Sequence, residues 1–360
     1  MPTQFQNRRR ALAVEMRRAE VDGLLAATPA NWFYLTGFTG EAGAVLATSR
    51  KATLVTDGRF TAQAREETTG ISIVQQKESL FQRVGELARS SGLRRVGFDP
   101  DIVTVAQRKS LQRGSGPKCR WISMGGLVEA LRSRKDGAEL ALMRKAAILV
   151  GEVLESVIPM LKPGVREMEV AAEIEYRMRK HGASGPAFES IVAFGARSAL
   201  PHARPTSKRL KKNELVVLDV GVILCHYCSD MTRTVYFGRA PERVRTWYKA
   251  VQEAQSAAIN SVKAGVTCGE VDAAARQVLA GYKLGNLFVH STGHGLGLEV
   301  HENPRVARDQ KQVLEPGNVI TIEPGVYLGG FGGIRIEDDV AVHSDRREVL
   351  TRTPRNLIEL

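Results

Sequence analysis

The stretch Val289-His290-Ser291-Thr292-Gly293-His294-Gly295-Leu296-Gly297-Leu298-Glu299-Val300-His301-Glu302 holds three of the seven histidines of a 360-residue chain, interleaved with three glycines. Two histidines four apart on a helix would form a metal-binding face, but each glycine costs a helix about 1 kcal/mol against alanine. The stretch is therefore expected on extended or turning backbone. There His294 and His301 have opposite parity, and a regular strand would aim them at opposite faces. For them to share a site, a glycine-supported bulge or bend has to intervene. Alone, the stretch reads equally as a glycine-rich turn beside a polar cluster.

The flanking sequence narrows the choice. Leu215-Val216-Val217-Leu218-Asp219-Val220-Gly221 is followed by Ser229-Asp230-Met231-Thr232-Arg233-Thr234. Downstream come Val319-Ile320-Thr321-Ile322-Glu323-Pro324-Gly325 and Gly333-Ile334-Arg335-Ile336-Glu337-Asp338. Each is a strand-like run broken by carboxylates, which are costly to bury unless paired or bound to a cation. Asp219, Asp230, Glu323 and Glu337 thus ask for a common positive partner. One candidate is a bound cation, since four converging carboxylates cannot all ionise without it. The other is a set of salt bridges to Arg335, Arg233 and Lys211.

An internal repeat supports convergence. Lys162-Pro163-Gly164-Val165 recurs as Lys263-Ala264-Gly265-Val266, and His202-Ala203-Arg204-Pro205 is echoed by His301-Glu302-Asn303-Pro304. Asp219 matches Glu323 and Asp230 matches Glu337, all at offsets of 99 to 107 residues. Two similar halves, each giving two carboxylates, are expected to build a site at their interface.

Composition bounds the rest. The apolar and charged fractions, 43% and 25%, are those of an ordinary globular protein. No apolar run approaches the roughly 20 residues of a membrane span and no signal-peptide pattern opens the chain, so a cytoplasmic location without membrane attachment is expected. Cys119, Cys225, Cys228 and Cys268 are too few for a disulfide scaffold at this length. The net charge of +12 is scattered in short basic groups without interleaved aromatics, which reads as solvated surface rather than a nucleic-acid interface.

Residues 1–132 alternate helical and strand patterns, with helices expected near 4–20, 60–68 and 79–91 and strands near 21–27, 44–47, 52–57, 71–75 and 94–98. The aromatic run Asn31 to Phe38 is expected to pack a core. This part reads as an α/β domain without chemistry of its own. Ser133-Arg134-Lys135-Asp136-Gly137 is polar and precedes a long helix, which places a boundary between domains 1–132 and 133–360.

In type and order, Asp219, Asp230, His294, Glu323 and Glu337 resemble the five metal ligands of the pita-bread metallopeptidases of family M24. The stretch from His290 to Glu302 resembles the signature of the aminopeptidase P and prolidase branch. The first 130 residues, including Tyr34-Leu35-Thr36-Gly37-Phe38, look like its creatinase-type N-terminal domain. The resemblance implies an α/β N-terminal domain followed by a pita-bread domain with a pseudo-twofold repeat and a curved, mainly antiparallel sheet. It implies two divalent ions, Asp219 chelating one, His294 the other, and Asp230 and Glu337 bridging. Glu323 would both bind a metal and move the proton, and His202 and His301 would line the substrate pocket. Arg335 is expected to orient Glu337, and His290 to stand behind the site. One imidazole with four carboxylates favours Mn²⁺, then Co²⁺, over Zn²⁺.

The activity implied is removal of an N-terminal residue ahead of proline. The short N-terminal domain inclines this reading to an Xaa-Pro aminopeptidase acting on peptides with proline second, with an Xaa-Pro dipeptidase as the alternative and a homodimer as the assembly. A metal-free creatinase-like hydrolase and a catalytically silent binding module compete, and the intact ligand set argues against both. His226 and the Cys225/Cys228 pair depart from the family pattern and put the shape of one hairpin in question.

Overall fold

The computed structural model describes residues 3–360, which divide into two compact units with the boundary between Arg132 and Ser133. The first unit has helices α1 (Gln4–Arg18), α2 (Pro29–Thr36), α3 (Thr61–Glu67), α4 (Leu80–Ser90), α5 (Val105–Ser115) and α6 (Leu127–Arg132). Its strands β1 (Gly23–Ala26), β2 (Ala44–Thr48), β3 (Ala52–Thr56), β4 (Ser72–Gln75), β5 (Arg95–Phe98) and β6 (Arg120–Ser123) form one mixed sheet in the order β4-β3-β2-β1-β5-β6. The aromatic run proves to be α2, with Thr28 as N-cap, Pro29 in its first turn and left-handed Gly37 at its end. Trp32, Tyr34 and Phe38 are buried, so these rings pack the unit's core.

The second unit is one motif used twice. In the first half, helices α7 (Gly137–Val157) and α8 (Glu167–Lys180) precede β7 (Gly185–Pro186), β8 (Ile191–Phe194) and β9 (Glu214–Val220). A tight hairpin of β10 (Val222–Leu224) and β11 (Tyr227–Cys228) then leads into β12 (Met231–Phe237), which returns antiparallel to β9. The second half repeats the order with α9 (Glu242–Ser261), α10 (Cys268–Gly281), β13 (Gly293–Gly295), β14 (Glu302–Val306) and β15 (Val319–Ile322). The hairpin of β16 (Gly325–Leu328) and β17 (Gly332–Arg335) follows, and β18 (Asp338–Val342) returns antiparallel to β15. Two short strands close the unit, β19 (Arg347–Val349) on β18 and β20 (Ile358–Glu359), parallel to β12.

The halves agree in backbone detail. The turns before α8 and α10 carry left-handed glycines, Gly164 at φ +88° and Gly265 at φ +91°, and the turns before β9 and β15 carry Asn213 at +65° and Gly317 at +92°. Isolated bridges join Arg166 to Arg209 and Thr267 to Val313. Each helix pair covers its own half with a separate core, one including Ile174, Phe194 and Leu218, the other Val251, Ile320 and Ile336. The β-branched runs of β9 and β15 are buried on both faces, which is why they lack polar alternation. The polar segment before α7 works as its cap: Asp136 accepts from the amides of Ala138 and Glu139, and the Glu139 carboxylate accepts from the Asp136 amide.

The departures from family pattern fall on the β10–β11 turn. Cys225 (φ +48°) and His226 (φ +72°) both take left-handed conformations, as a two-residue hairpin turn requires. Cys225 is exposed, Cys228 is buried, and all four cysteines are free. No helix among the described residues is long and apolar enough to cross a membrane.

Candidate metal centre

All four carboxylates sit at strand ends flanking the two hairpins. Asp219 is the penultimate residue of β9, Asp230 directly precedes β12, Glu323 follows β15 and Glu337 directly precedes β18. The two halves meet where β12 runs beside residues 335–337, with the Glu337 amide donating to the Thr232 carbonyl and the Arg335 amide to the Thr234 hydroxyl.

The histidine stretch reaches this junction by bending. β13 pairs with β15 on one side and β14 on the other, with a register shift between Gly293 and Gly295. A Cβ on Gly293 would fall on the Thr321 carbonyl, and one on Gly295 on the Asn303 carbonyl, so only glycine permits this approach. The bulge brings the opposite-parity rings together: His294 and His301 have centroids 4.4 Å apart in an edge-on contact. Arg276 of α10, ion-paired to Asp272, donates to the His290 carbonyl, and Asp272 also accepts from the Thr292 hydroxyl.

A cavity of about 270 Å³ is lined by all five candidate ligands together with His202, His301, Arg335, Phe188 and Ile191. At its rim Glu189 and Arg204 form an exposed ion pair at 3.2 Å. Ligand-capable atoms of Asp230, His294 and Glu337 lie within 4.8 Å of one another. His294 Nε2 is 3.7 Å from Asp230 Oδ2 and 3.6 Å from Glu323 Oε1.

The donor set fits divalent ions by three observations. Asp219 Oδ1, Asp230 Oδ1 and Glu337 Oε1 are buried without a hydrogen-bond partner among the described residues, although Asp219 and Glu337 are each held by the other oxygen. Asp219 Oδ2 accepts from Arg335 Nη2 at 2.5 Å and Glu337 Oε2 from the Thr232 hydroxyl at 2.6 Å. Burial and then mutual repulsion push the Asp230 and Glu337 carboxyls well up, and burial pushes Glu323 up to about 8. Cations would relieve that crowding. Finally, His294 Nδ1 lies 3.0 Å from the Gly295 carbonyl, so it carries the proton and leaves the Nε2 lone pair toward the carboxylates. Burial lowers this ring to about 4, which keeps it neutral as a ligand must be.

Arg335 differs from its sequence reading. Its guanidinium turns to Asp219 and not to Glu337, and is otherwise engaged by Tyr327, Thr232 and the Pro201 carbonyl. The reason is that Arg335 ends β17 inside the junction, where Asp219 on β9 and Thr232 on β12 stand directly opposite one another. The salt-bridge alternative is met in part, since Arg335 neutralises Asp219; Arg233 pairs instead with Asp338 and the Lys211 amide bonds Glu214.

His290 lies behind the site. Its Nδ1 donates to the Ser291 carbonyl at 2.8 Å, so its Nε2 accepts from the Tyr327 hydroxyl at 2.9 Å, which itself accepts from Arg335 Nη1. Burial lowers His290 to about 4 and raises Tyr327 to about 12, so this chain from Asp219 to His290 keeps its protons in place. Tyr327, Thr232, Thr321, whose hydroxyl accepts from the His294 amide, and Asp339, whose carboxylate accepts from the Asp230 amide, all escape sequence reasoning. Only the pairing of Thr232 with Asp219 across β12 and β9 carried a signal, and it needs the register.

Fold and site together define a metal-dependent peptidase, and comparison with known proteins agrees. Residues 141–344 match the family described as metallopeptidase family M24, and residues 8–134 match the creatinase/prolidase N-terminal domain. The chain belongs to the M24 metallopeptidases. It is 36% identical to the Xaa-Pro dipeptidase of Pyrococcus horikoshii over 95% of this chain and 96% of that one. The structure of an Xaa-Pro dipeptidase from Bacillus anthracis superposes with a TM-score of 0.95 at 38% identity, covering 99% of this chain and 100% of the other. An X-Pro aminopeptidase from Thermotoga maritima gives 0.88 at 32% identity, covering 96% and 100%.

Proposed function

We propose that this chain is an Xaa-Pro dipeptidase, hydrolysing the bond before proline in free dipeptides, and that residues 133–360 are its catalytic domain. The reading moves from the aminopeptidase inclination of the sequence to its alternative. The observation that carries it is the near-complete likeness to Xaa-Pro dipeptidases, at 38% identity and a TM-score of 0.95.

Asp219, Asp230, His294, Glu323 and Glu337 would hold two divalent ions, and this oxygen-rich donor set favours Mn²⁺. Bound there, the ions would supply Lewis acidity and lower the pKa of the attacking water. The proline ring would rest against Phe188 and Ile191, the apolar part of the lining. Glu323 faces both the donor cluster and His290, whose Nδ1 is 3.9 Å from Glu323 Oε2. Its carboxylate would accept the proton of the attacking water and return it to the proline nitrogen as the C–N bond breaks. His202 would donate to the developing oxyanion and His301 would hold the scissile peptide. Arg335 would keep Asp219 aimed at the donor cluster. A cytoplasmic homodimer belongs to the same proposal, and sizing the purified chain checks the assembly.

The test is a comparison of Ala-Pro with Ala-Pro-Ala on the Mn²⁺-loaded protein. The dipeptide is expected to be the better substrate by kcat/KM. Faster cleavage of the tripeptide would return the reading to the aminopeptidase, and no turnover of either with metal bound would sink both.

A further inference from the structure

Ser133-Arg134-Lys135-Asp136-Gly137 reads in sequence as a polar boundary, yet its lysine is not in solvent. The Lys135 side chain is 1% exposed and its Nζ lies 3.1 Å from Oε2 of Glu302, whose side chain is 6% exposed. The segment is drawn in by its backbone. The Lys135 amide donates to the Gly317 carbonyl at 2.8 Å, and the Ser133 carbonyl accepts from Asn318 Nδ2 at 2.9 Å. Gly317 is left-handed, and a Cβ there would press on the Lys135 backbone at 2.8 Å.

The pair ends in the histidine stretch. Glu302 Oε1 accepts from the Glu299 amide at 3.1 Å, and the Glu299 carbonyl accepts from the Gly297 amide at 3.0 Å, so the turn leading to His301 closes on the Glu302 carboxylate. A Cβ on Gly297 would lie 2.8 Å from Glu302 Oε2 and 2.9 Å from Lys135 Cε; the third glycine of the stretch makes room for this ion pair. On β14, Glu302 stands opposite Gly295, the neighbour of His294, and it directly follows His301. Its backbone thus joins the two rings that meet edge-on at the cavity.

Burying both charges is expensive, and a buried ion pair often stabilises no more than apolar side chains would. Its return is geometric. We propose that Lys135 is a positioning residue for the reaction: its ammonium fixes the Glu302 carboxylate, and through that carboxylate holds the 297–302 turn so that His301 faces the cavity beside His294. The role given to His301 rests on the dipeptidase reading; the holding of the turn does not.

The experiment uses the full-length chain loaded with Mn²⁺. Lys135→Met is expected to lower kcat on Ala-Pro about 10- to 100-fold, as misplacement of a positioned group does, with KM changed by less than about threefold. Bound Mn²⁺ per chain stays the same. Hydrogen exchange rises in peptides covering residues 296–303 and not in those covering 214–220. Lys135→Arg, which keeps the cation, recovers part of the rate. In a His301→Ala background Lys135→Met adds less than about a twofold loss, because both act through one ring. Multiplying losses in that double variant, or unchanged exchange in 296–303, would overturn the proposal. Should Lys135→Met fail to fold, Glu302→Gln removes the charge at constant shape and is judged by the same cycle and exchange criteria. A metal-loaded wild type that cleaves no Xaa-Pro peptide would remove the dipeptidase reading alone, and the exchange measurement would still decide whether Lys135 holds the turn.

Discussion

The two halves of the second unit place carboxylates at matching positions around a tight hairpin, yet only the second half brings an imidazole into the ligand cluster. In the first half the strand beside β9 is β8, Ile-Val-Ala-Phe, buried throughout and serving the core. In the second, the strand beside β15 is β13, Gly-His-Gly, which gives up packing for close backbone approach. The hairpins differ too. The β10–β11 turn is a solvent-facing bend, whereas β16 and β17 carry Tyr327 and Arg335 back into the junction to brace Asp219 of the other half. The repeat supplies a symmetric frame, and the chemistry comes from where the copies diverge.

The largest test of the symmetric part is the pair Asp230→Ala and Glu337→Ala. If the halves contribute equally, both variants lose most bound metal and more than about 10³-fold in activity. Full metal occupancy in either would break the equivalence. His202→Ala, on the first-half segment that the repeat echoes at His301, should keep its metal and lose about 10²-fold in kcat, read by turnover beside metal analysis. Thr232→Val removes the hydroxyl by which the first half holds Glu337 of the second, and should weaken metal affinity about 10- to 100-fold with kcat recovered at saturating Mn²⁺.

The smallest effect concerns the strap between the halves, where Arg144 of α7 meets Glu348 of β19 at 2.5 Å and His343 joins at 2.9 Å. The bond from Arg144 holds the Glu348 carboxyl down at about 2 against an ordinary 4.5. A depressed carboxyl contributes stability fully above its unfolded value and loses it as pH falls through its folded one. The contribution should therefore be constant above about pH 4.5 and vanish toward about pH 2, worth at most about 1 kcal/mol for so exposed a pair. Melting temperatures of wild type and Glu348→Gln should converge as the pH is lowered across that window. Curves that stay parallel would show that the pair does not tie α7 to β19 energetically.

The sequence exposed the parts of this design that live in the backbone and in residue type. Carboxylates inside apolar runs and glycines around histidines are local violations of strand rules, and the repeat magnified them. The partner of each side chain was not legible. Arg335 sits two residues from Glu337, which made that pair the natural guess, but a neighbour across β9 and β12 lay closer than one along the chain. Tyr327 and Asp339 look like ordinary hairpin and strand residues until the register sets them against Arg335 and the Asp230 amide. Lys135 was hidden by its polar company, since nothing local announces that a lysine in a charged segment is buried.

The parallel pairing of Val235 with Ile358 ties strand β12 to a segment reached only after the whole second half has been laid down. β20 covers the Val235–Tyr236 end of the outer edge of β12, in the order β20-β12-β9-β8. Without Ile358 and Glu359 the Val235–Tyr236 end of that edge would be bare, while its Thr232 end stays paired with the Glu337 amide, leaving a short stretch open to a strand from another molecule. Truncations of a few residues at this end should therefore yield insoluble protein well before they disturb the site itself.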